Sequence, residues 1–579
     1  MNTNMSDWDF SETAAEPASS YPSREGGRGR GRGRGRVGYS RNDRNDDSQG
    51  DSWGGGGEGD NGYNGNGDGE REGGGRVRGR GGRGGGRGRF NDRQQDGGDG
   101  GNSFGDDEQP PVSDKPRPTY IPAEINDDDI SCSIDVGTNF DKYQNIDVKV
   151  SGDSVPKHIE NFKSSGLREV LIDNLTACNY TTPTPIQKYA LPIIMNGRDM
   201  MASAQTGSGK TAAFVLPILH TLLSEPNDLV YERDYCEPQC VIMAPTRELA
   251  IQIREVVYKL AKGTVIKHGL LYGGTATGYQ KSQIVNGVHI IVATPGRLND
   301  FVGRGIVSFK SVRFFVLDEA DRMLDMGFKP DIERILDHET MVDLNSRQTL
   351  LFSATLADDI QMLAKKFLKP NYAFVAVGEI GGACKDVVQE IREVSKFEKK
   401  KELIKVLQSL GDISGTMVFV EQKRNADFIA AFLSEKDYPT TSIHGDREQP
   451  EREQALRDFK NNKMKILVAT AVAARGLDIK GVNCVINFDM PSTIDEYVHR
   501  IGRTGRLGNS GRAVSFYDGS SDSGLSSELV RILKQAEQEV PSFLSGGSYG
   551  GGNDYDGQSS FNDIRSTEPA AGGDDGDGW

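Results

Sequence analysis

No tryptophan occurs between residues 54 and 578: Trp8, Trp53 and Trp579 all sit near the ends of the 579-residue chain. Apolar residues are also scarce, at 35%, with 72 glycines in their place. The shortage is local. Residues 1–117 and 546–579 carry Gly, Ser, Asp, Asn and Arg with few branched side chains, so they are predicted to be disordered tails that cannot bury a core. Tryptophan in such segments suggests docking anchors.

Cysteine is rare too: Cys132, Cys178, Cys236, Cys240, Cys384 and Cys484. Only Cys236 and Cys240 are close, and no zinc-type spacing surrounds them, so free thiols in a reducing compartment are expected. No apolar run reaches about eighteen residues, which argues against a membrane helix. The opening Met1–Asp9 has neither a basic nor an apolar signal region. These absences point to a soluble intracellular protein. The net charge of -15 argues only weakly against nucleic acid, because acidic tails dominate the sum and binding depends on local patches.

What is present begins with Ala204-Gln205-Thr206-Gly207-Ser208-Gly209-Lys210-Thr211. A glycine-rich turn ending in Lys-Thr can wrap backbone N–H groups around phosphates, with Lys210 on the terminal ones and the Thr211 hydroxyl near Mg²⁺. Ala204 stands where a strict phosphate loop has Gly. About a hundred residues later the apolar run Phe314–Leu317 ends in Asp318-Glu319-Ala320-Asp321. A carboxylate there can make a second Mg²⁺ contact, and the next can orient an attacking water. Either motif alone could be an ordinary helix start. Their order and spacing together indicate a nucleoside triphosphatase.

From about residue 155, apolar runs alternate with segments of helical period, which predicts parallel sheets covered by helices. The first series of predicted strands is 200–202, 240–243, 269–272, 288–293, 313–317 and 349–352. The second is 416–420, 441–443, 465–469, 484–488 and 512–516. Unusual clusters follow the first six: Thr206-Gly207, Pro245-Thr246-Arg247, Gly273-Gly274, Thr294-Pro295-Gly296-Arg297, Asp318-Glu319 and Ser353-Ala354-Thr355. Parallel sheets place ligand sites at strand carboxyl ends, so these clusters should line one edge. The expected organisation is a tail over 1–117, an α/β domain over 118–377 and a hinge linker over 378–386. A second α/β domain follows over 387–545, then an acidic tail over 546–579.

Arg28–Arg36 and Arg76–Arg89 are arginine–glycine blocks, with Tyr39, Tyr63 and Phe90 nearby as stacking partners. Such segments bind RNA weakly and without sequence preference; the bland alternative is a solvated spacer.

Over roughly residues 155–545 this set of motifs resembles the DEAD-box ATP-dependent RNA helicases. Matching residues include Phe162, Pro183-Thr184-Pro185-Ile186-Gln187, Ala204–Thr211, Pro245–Ala250, Asp318–Asp321 and Ser353–Thr355. Gln449–Arg452, Ala469-Thr470, Ala474–Asp478 and His499–Arg506 match in the second half. The fold implied is two tandem RecA-like parallel-sheet domains joined by a short linker, and the cofactors are ATP and Mg²⁺.

The resemblance implies roles residue by residue. Phe162 and Gln187 take adenine, Ala204–Thr211 hold phosphates and Asp478 meets the ribose. Thr211 and Asp318 hold Mg²⁺, partly through water, and Glu319 positions the attacking water. Arg503 and Arg506 act as arginine fingers alongside Lys210, with Ser353 and Thr355 coupling hydrolysis to RNA. RNA contacts are expected from Pro245, Thr246, Arg247, Gly274, Thr294, Pro295, Gly296 and Arg297. In the second domain they are His444, Gly445, Arg452 and Thr470. Gln422 departs from the family pattern, which has Thr there, and its placement on phosphate is in doubt.

Contacts of this kind ignore base identity, so single-stranded and short duplex RNA without sequence preference is the expected partner. The arginine–glycine blocks, the linker and the end Asp574–Trp579 point to the family's germline branch. That branch implies Tudor-domain partners on methylated tail arginines, LOTUS-type partners on the second domain, no membrane, and cytoplasmic, perinuclear germ granules. An ATP-gated RNA clamp or granule scaffold is the rival to an unwinding enzyme.

Overall fold

The computed structural model describes residues 119–122, 144–378, 381–382, 385–474, 479, 481–506 and 508–545. The tail arginines, the three tryptophans, Tyr39, Tyr63, Phe90, Cys132, Cys384 and Asp478 lie outside the described residues.

In chain order the strands are β1 (Val148–Ser151), β2 (Met200–Ser203), β3 (Val230–Glu232), β4 (Tyr235–Glu237), β5 (Cys240–Met243), β6 (His268–Leu271), β7 (Ile290–Ala293) and β8 (Phe314–Leu317). They continue with β9 (Gln348–Ser353), β10 (Ala373–Val377), β11 (Val387–Glu393), β12 (Thr416–Val420), β13 (Thr440–Ile443), β14 (Ile466–Thr470), β15 (Cys484–Asn487) and β16 (Gly511–Tyr517). An eight-stranded sheet has the order β1-β10-β2-β9-β8-β5-β7-β6, and a six-stranded one β11-β16-β15-β12-β14-β13. All pairings in both sheets are parallel except β1 with β10. A separate antiparallel hairpin joins β3 and β4.

The central strands are buried along their whole length because helices cover both faces. Alternation then sorts side chains between two cores. Met200, Ala202, Cys240, Ile242, Phe314, Val316, Leu350 and Phe352 pack on one side. Met201, Val241, Met243, Phe315, Leu317 and Leu351 pack on the other. The second sheet divides likewise, with Val418 and Val468 on one face and Met417, Phe419, Leu467 and Ala469 on the other. β11 lies at an edge, and its Val-Val-Gln-Glu-Ile-Arg-Glu alternates buried and open positions as a half-covered strand should.

Eleven strands fall where the sequence places them, with ends shifted by up to two residues. β1, β10, β11 and the β3–β4 hairpin were not anticipated. The sheets are joined by 378–386, between the end of β10 and the start of β11. Gly378 and Gly381 have φ of 71° and 69°, a left-handed backbone that favours glycine. Among the described residues no helix is long and apolar enough to cross a membrane, and the described cysteines Cys178, Cys236, Cys240 and Cys484 are buried and form no disulfide.

Candidate functional site

Strand order divides the carboxyl edge of the larger sheet into halves. β2, β9 and β8 are neighbours, so Ala204–Thr211, Ser353–Thr355 and Asp318–Asp321 lie together. β5, β7 and β6 are the next neighbours, which groups Pro245–Arg247, Thr294–Arg297 and Gly273-Gly274. The second lobe faces both halves.

In the first half, the loop after β2 turns through Gly207 (φ 77°) and Gly209 (φ 87°) into the helix Lys210–Ser224. Lys210 is buried, and its Nζ donates to the carbonyls of Ala204 and Gln205 at 2.6 and 3.2 Å. Burial pulls its pKa down, while Asp318, Glu319 and Asp321 oppose that and Arg503 adds to it. Burial pushes the Asp318 carboxyl up to about 7 despite Lys210. Thr211 is half-buried one residue further along.

Glu319 adopts φ 52°, ψ 52° at the start of the helix Ala320–Asp325, and its N–H donates to Asp318 Oδ1 at 3.0 Å. A left-handed glutamate costs about 1–2 kcal/mol. Glu319 Oε2 and Ser208 Oγ are buried without a hydrogen-bond partner among the described residues. Buried polar atoms left unmatched are costly, and a bound polar ligand would offset that.

Gln187 is fully buried. Its Oε1 accepts from Thr184 N–H at 3.0 Å and its Nε2 donates to the Gly209 carbonyl at 3.1 Å, tying the helix Pro185–Met195 to the phosphate-type loop. Phe162 is packed in the core cluster of the first lobe. Asp321, which sequence reading gave no role, gathers the adjacent loop: its Oδ2 accepts from the N–H groups of Ala354 and Thr355 at 3.0 and 3.2 Å. Ser353 Oγ donates to the Thr355 carbonyl at 2.8 Å.

The second lobe presents the helix Ile494–Ile501 and the turn after it. Arg503 Nε and Arg506 Nε each donate to a carbonyl four residues back, His499 and Gly502, at 3.0 Å. Arg506 lies against the loop so closely that a Cβ on Gly207 would stand 2.7 Å from its Cδ. Thr206 Oγ1 donates to the Gly502 carbonyl at 3.4 Å, and His499 Nε2 is 3.8 Å from Asp321 Oδ2. A cleft open to solvent lies between Thr206, Thr355, Gly382, His499 and Gly502.

The other half is rich in matched charges. Thr246 Oγ1 accepts from Leu249 N–H at 3.3 Å and caps the helix Arg247–Leu260. Arg247 Nη1 donates to Gln449 Oε1 at 3.0 Å and leaves no room for a Cβ on Gly274, 2.6 Å away. Arg452 Nη2 meets the buried Glu248 at 2.7 Å, and Gln449 Nε2 donates to Glu248 at 3.4 Å. Arg297 Nη1 donates to Gln280 Oε1 at 2.7 Å. Pro295 and Gly296 open the helix Pro295–Gly303, with Thr294 as its cap residue. In the second lobe Asp427 accepts from Ser442 Oγ and Arg447, and it lies 2.9 Å from His444 Nε2. Gly445 is exposed and Thr470 buried. Gln422 caps the helix Lys423–Ser434 without a side-chain cap bond.

A sequence model described as DEAD/DEAH box helicase matches residues 184–363, and one described as helicase conserved C-terminal domain matches 396–508. The solved structure of S. cerevisiae Dbp5 bound to RNA and ADP BeF3 is 32% identical, with a TM-score of 0.57 over 66% of this chain and 95% of that one. The chain belongs to the DEAD/DEAH box helicase family. Its two sheets are those of two RecA-like domains. A structure of Mss116p bound to ssRNA and AMP-PNP is similar at 30% identity and a TM-score of 0.59, covering 68% of this chain and 82% of that one.

Among curated proteins, the ATP-dependent RNA helicase vasa of Drosophila melanogaster is 55% identical over 448 residues, 77% of this chain and 66% of the relative. The probable ATP-dependent RNA helicase DDX4 of Homo sapiens is 52% identical over 431 residues, 74% of this chain and 59% of the relative. The match thus spans less than two thirds of each relative's length.

Sequence reading did not anticipate the partners that join the lobes of this helicase-family chain: Glu248, Gln449, Glu453, Tyr120, Tyr272, and His499 with Asp321. Glu248, Asp321, Gln449 and His499 lay within recognised motifs, but nothing in one sequence pairs them with residues of the other lobe about two hundred positions away.

Proposed function

We propose that the chain is an RNA-stimulated ATPase that separates or remodels short RNA duplexes by closing its two domains on one strand. The observation that carries this reading is the meeting of three chemistries across one cleft. A phosphate-type loop, a buried acid pair and second-lobe arginines converge at Gly207, Lys210, Asp318 and Arg503. Beside them Arg247 and Arg452 bridge the same cleft, so ATP-driven closure would act on RNA held there.

In this reading Lys210 and the loop amides of Ala204–Thr211 hold the ATP phosphates. Gln187 and Phe162 serve the adenine, with one N–H and one lone pair of the Gln187 amide still to offer. Asp478 meets the ribose. Glu319 orients the water, and Arg503 and Arg506 neutralise charge as the terminal phosphate leaves. Ser353 and Thr355, gathered by Asp321, couple this to the RNA side. Arg247, Gly274, Thr294–Arg297, His444, Gly445, Arg452 and Thr470 face RNA phosphates, the arginines offering N–H groups beyond those their protein partners take.

Mg²⁺ fits the donor set: Asp318 is a buried carboxylate with its charge poorly matched, and Thr211 is adjacent to Lys210. Among the described residues no group of three or more His, Cys, Asp or Glu could hold a metal, so phosphate oxygens and water would complete its shell. Bound there by Thr211 and Asp318, the ion would draw charge from the phosphates.

The similarity to vasa and DDX4, with the arginine–glycine blocks, supports work in germline RNA regulation, including piRNA and translation pathways, in cytoplasmic perinuclear granules. Tudor-type cages would take methylated tail arginines, and LOTUS-type partners the second domain. An RNA clamp or granule scaffold is the second reading. Retention of Glu319, Arg503 and Arg506 favours turnover, because a scaffold needs no oriented water. RNA-stimulated ATP hydrolysis and strand separation by the full chain test the proposal. Hydrolysis indifferent to RNA would refute it, and hydrolysis without strand separation would favour the clamp.

A further inference from the structure

We propose that Tyr120 is a positioning residue for closure on RNA: it pins Glu453 of the second lobe to the first lobe and stabilises the closed arrangement. The inference rests on the closure reading above.

Residues 119–122 belong to neither sheet, yet Tyr120 touches both lobes. Its carbonyl accepts from Ala276 N–H at 2.9 Å, directly after the Gly273-Gly274 turn of the first lobe. Its hydroxyl donates to Glu453 Oε2 at 2.7 Å, across 333 positions of sequence. Glu453 Oε1 accepts from Tyr272 at 3.1 Å and from Gln449 Nε2 at 3.1 Å. Gln449 in turn accepts from Arg247. A continuous polar path therefore runs from Tyr120 through Glu453 and Gln449 to a residue assigned to RNA.

Burial, reinforced by the Glu453 carboxylate, holds the Tyr120 hydroxyl well above its ordinary pKa, so it remains a donor at neutral pH. When the lobes part, Glu453 regains water and needs no tyrosine. When they close, a missing hydroxyl leaves Oε2 without this donor. The cost therefore falls on closing and not on the chemical step, and removing the hydroxyl does not touch a core.

The experiment uses Tyr120→Phe, Glu453→Gln and the double variant in the full chain, with single-stranded RNA. Tyr120→Phe should raise the RNA concentration for half-maximal ATP hydrolysis by about fivefold, since a hydrogen bond to a charged group is being lost from a half-open site. The rate at saturating RNA should stay unchanged. Distances between labels on the two lobes, with RNA and a non-hydrolysable ATP analogue, should show a smaller closed fraction. In the Glu453→Gln background the same change should add less than it does alone, because the charged acceptor of the Tyr120 bond is already gone.

Parental behaviour of Tyr120→Phe, a fall in saturating rate alone, or fully additive effects would each overturn the proposal. If the parent hydrolyses no ATP with RNA, the functional reading fails by itself, and the label distances still decide the role of Tyr120.

Discussion

The two halves of the cleft differ in how their acids are partnered: Asp318 and Glu319 on one side, Glu248 and Glu453 on the other. At the β2–β9–β8 end, polar groups are left unmatched. Glu319 Oε2 and Ser208 Oγ have no hydrogen-bond partner among the described residues, Asp318 is buried with its carboxyl raised to about 7, and Glu319 has a left-handed backbone. At the β5–β7–β6 end, charges are matched across the lobes: Arg452 with Glu248, Arg247 with Gln449, and Tyr120 and Tyr272 with Glu453. Groups left unmatched by the protein are what a ligand can complete. Groups matched across lobes hold the lobes together. One half is prepared for a reactant, the other for a change of shape, and the difference predicts separable defects.

The largest effect is expected at Glu319. Glu319→Gln keeps shape but loses the charge that orients water, so ATP turnover should fall by about a thousandfold or more. Filter binding should find ATP and RNA binding retained, with longer-lived complexes on single strands. Turnover within a few-fold of the parent would remove the distinction between the halves.

Arg452→Ala should act oppositely. It leaves Glu248 buried and unpaired in the closed form, a cost of about 3 kcal/mol or more. RNA titrations should show much weaker RNA-stimulated hydrolysis, with direct ATP binding preserved. An equal loss of ATP binding would mean that the halves are not separable.

Asp321→Asn probes the junction between them. The amide keeps one acceptor for the Ala354 and Thr355 N–H groups but loses the charge, at about 1–2 kcal/mol. Strand separation should fall more than ATP hydrolysis, measured in parallel. Equal losses would place Asp321 wholly in the hydrolytic half.

The smallest effect is on pH dependence. Asp318 has a raised pKa of about 7, so it is neutral below that pH and charged above it. A cation prefers the charged form, so affinity for Mg²⁺-ATP should weaken as pH falls, by roughly tenfold between pH 8 and 6. Asp318→Asn should bind more weakly than the parent at pH 8, converge with it as pH falls, and lose this dependence. A parent with a flat profile would show that Asp318 is not the group completed by the ligand.

The contrast also marks how far sequence could reach. The phosphate-type loop and Asp318-Glu319 were legible because each is local and follows a short buried strand, and the arginine turn because it ends a contiguous eight-residue motif. β10 was missed although Ala373–Val377 is entirely buried: a short apolar run behind a helix looks like helix continuation. β1 was missed because Val-Lys-Val-Ser offers too few alternations. The cross-lobe partners were illegible for a different reason. Glu248 and Arg452 are 204 positions apart, and Tyr120 and Glu453 are 333 apart. Their residue types are ordinary, and only the folded approach of two domains makes them a pair.

The central claim, that ATP and RNA together close the two domains, is tested most directly by distances between one label on each lobe of the full chain. Four states suffice: alone, with a non-hydrolysable ATP analogue, with single-stranded RNA, and with both. The short distance should dominate only with both present. The same distance distribution in all four states would contradict the account, because Arg503 could not then link RNA binding to the phosphate.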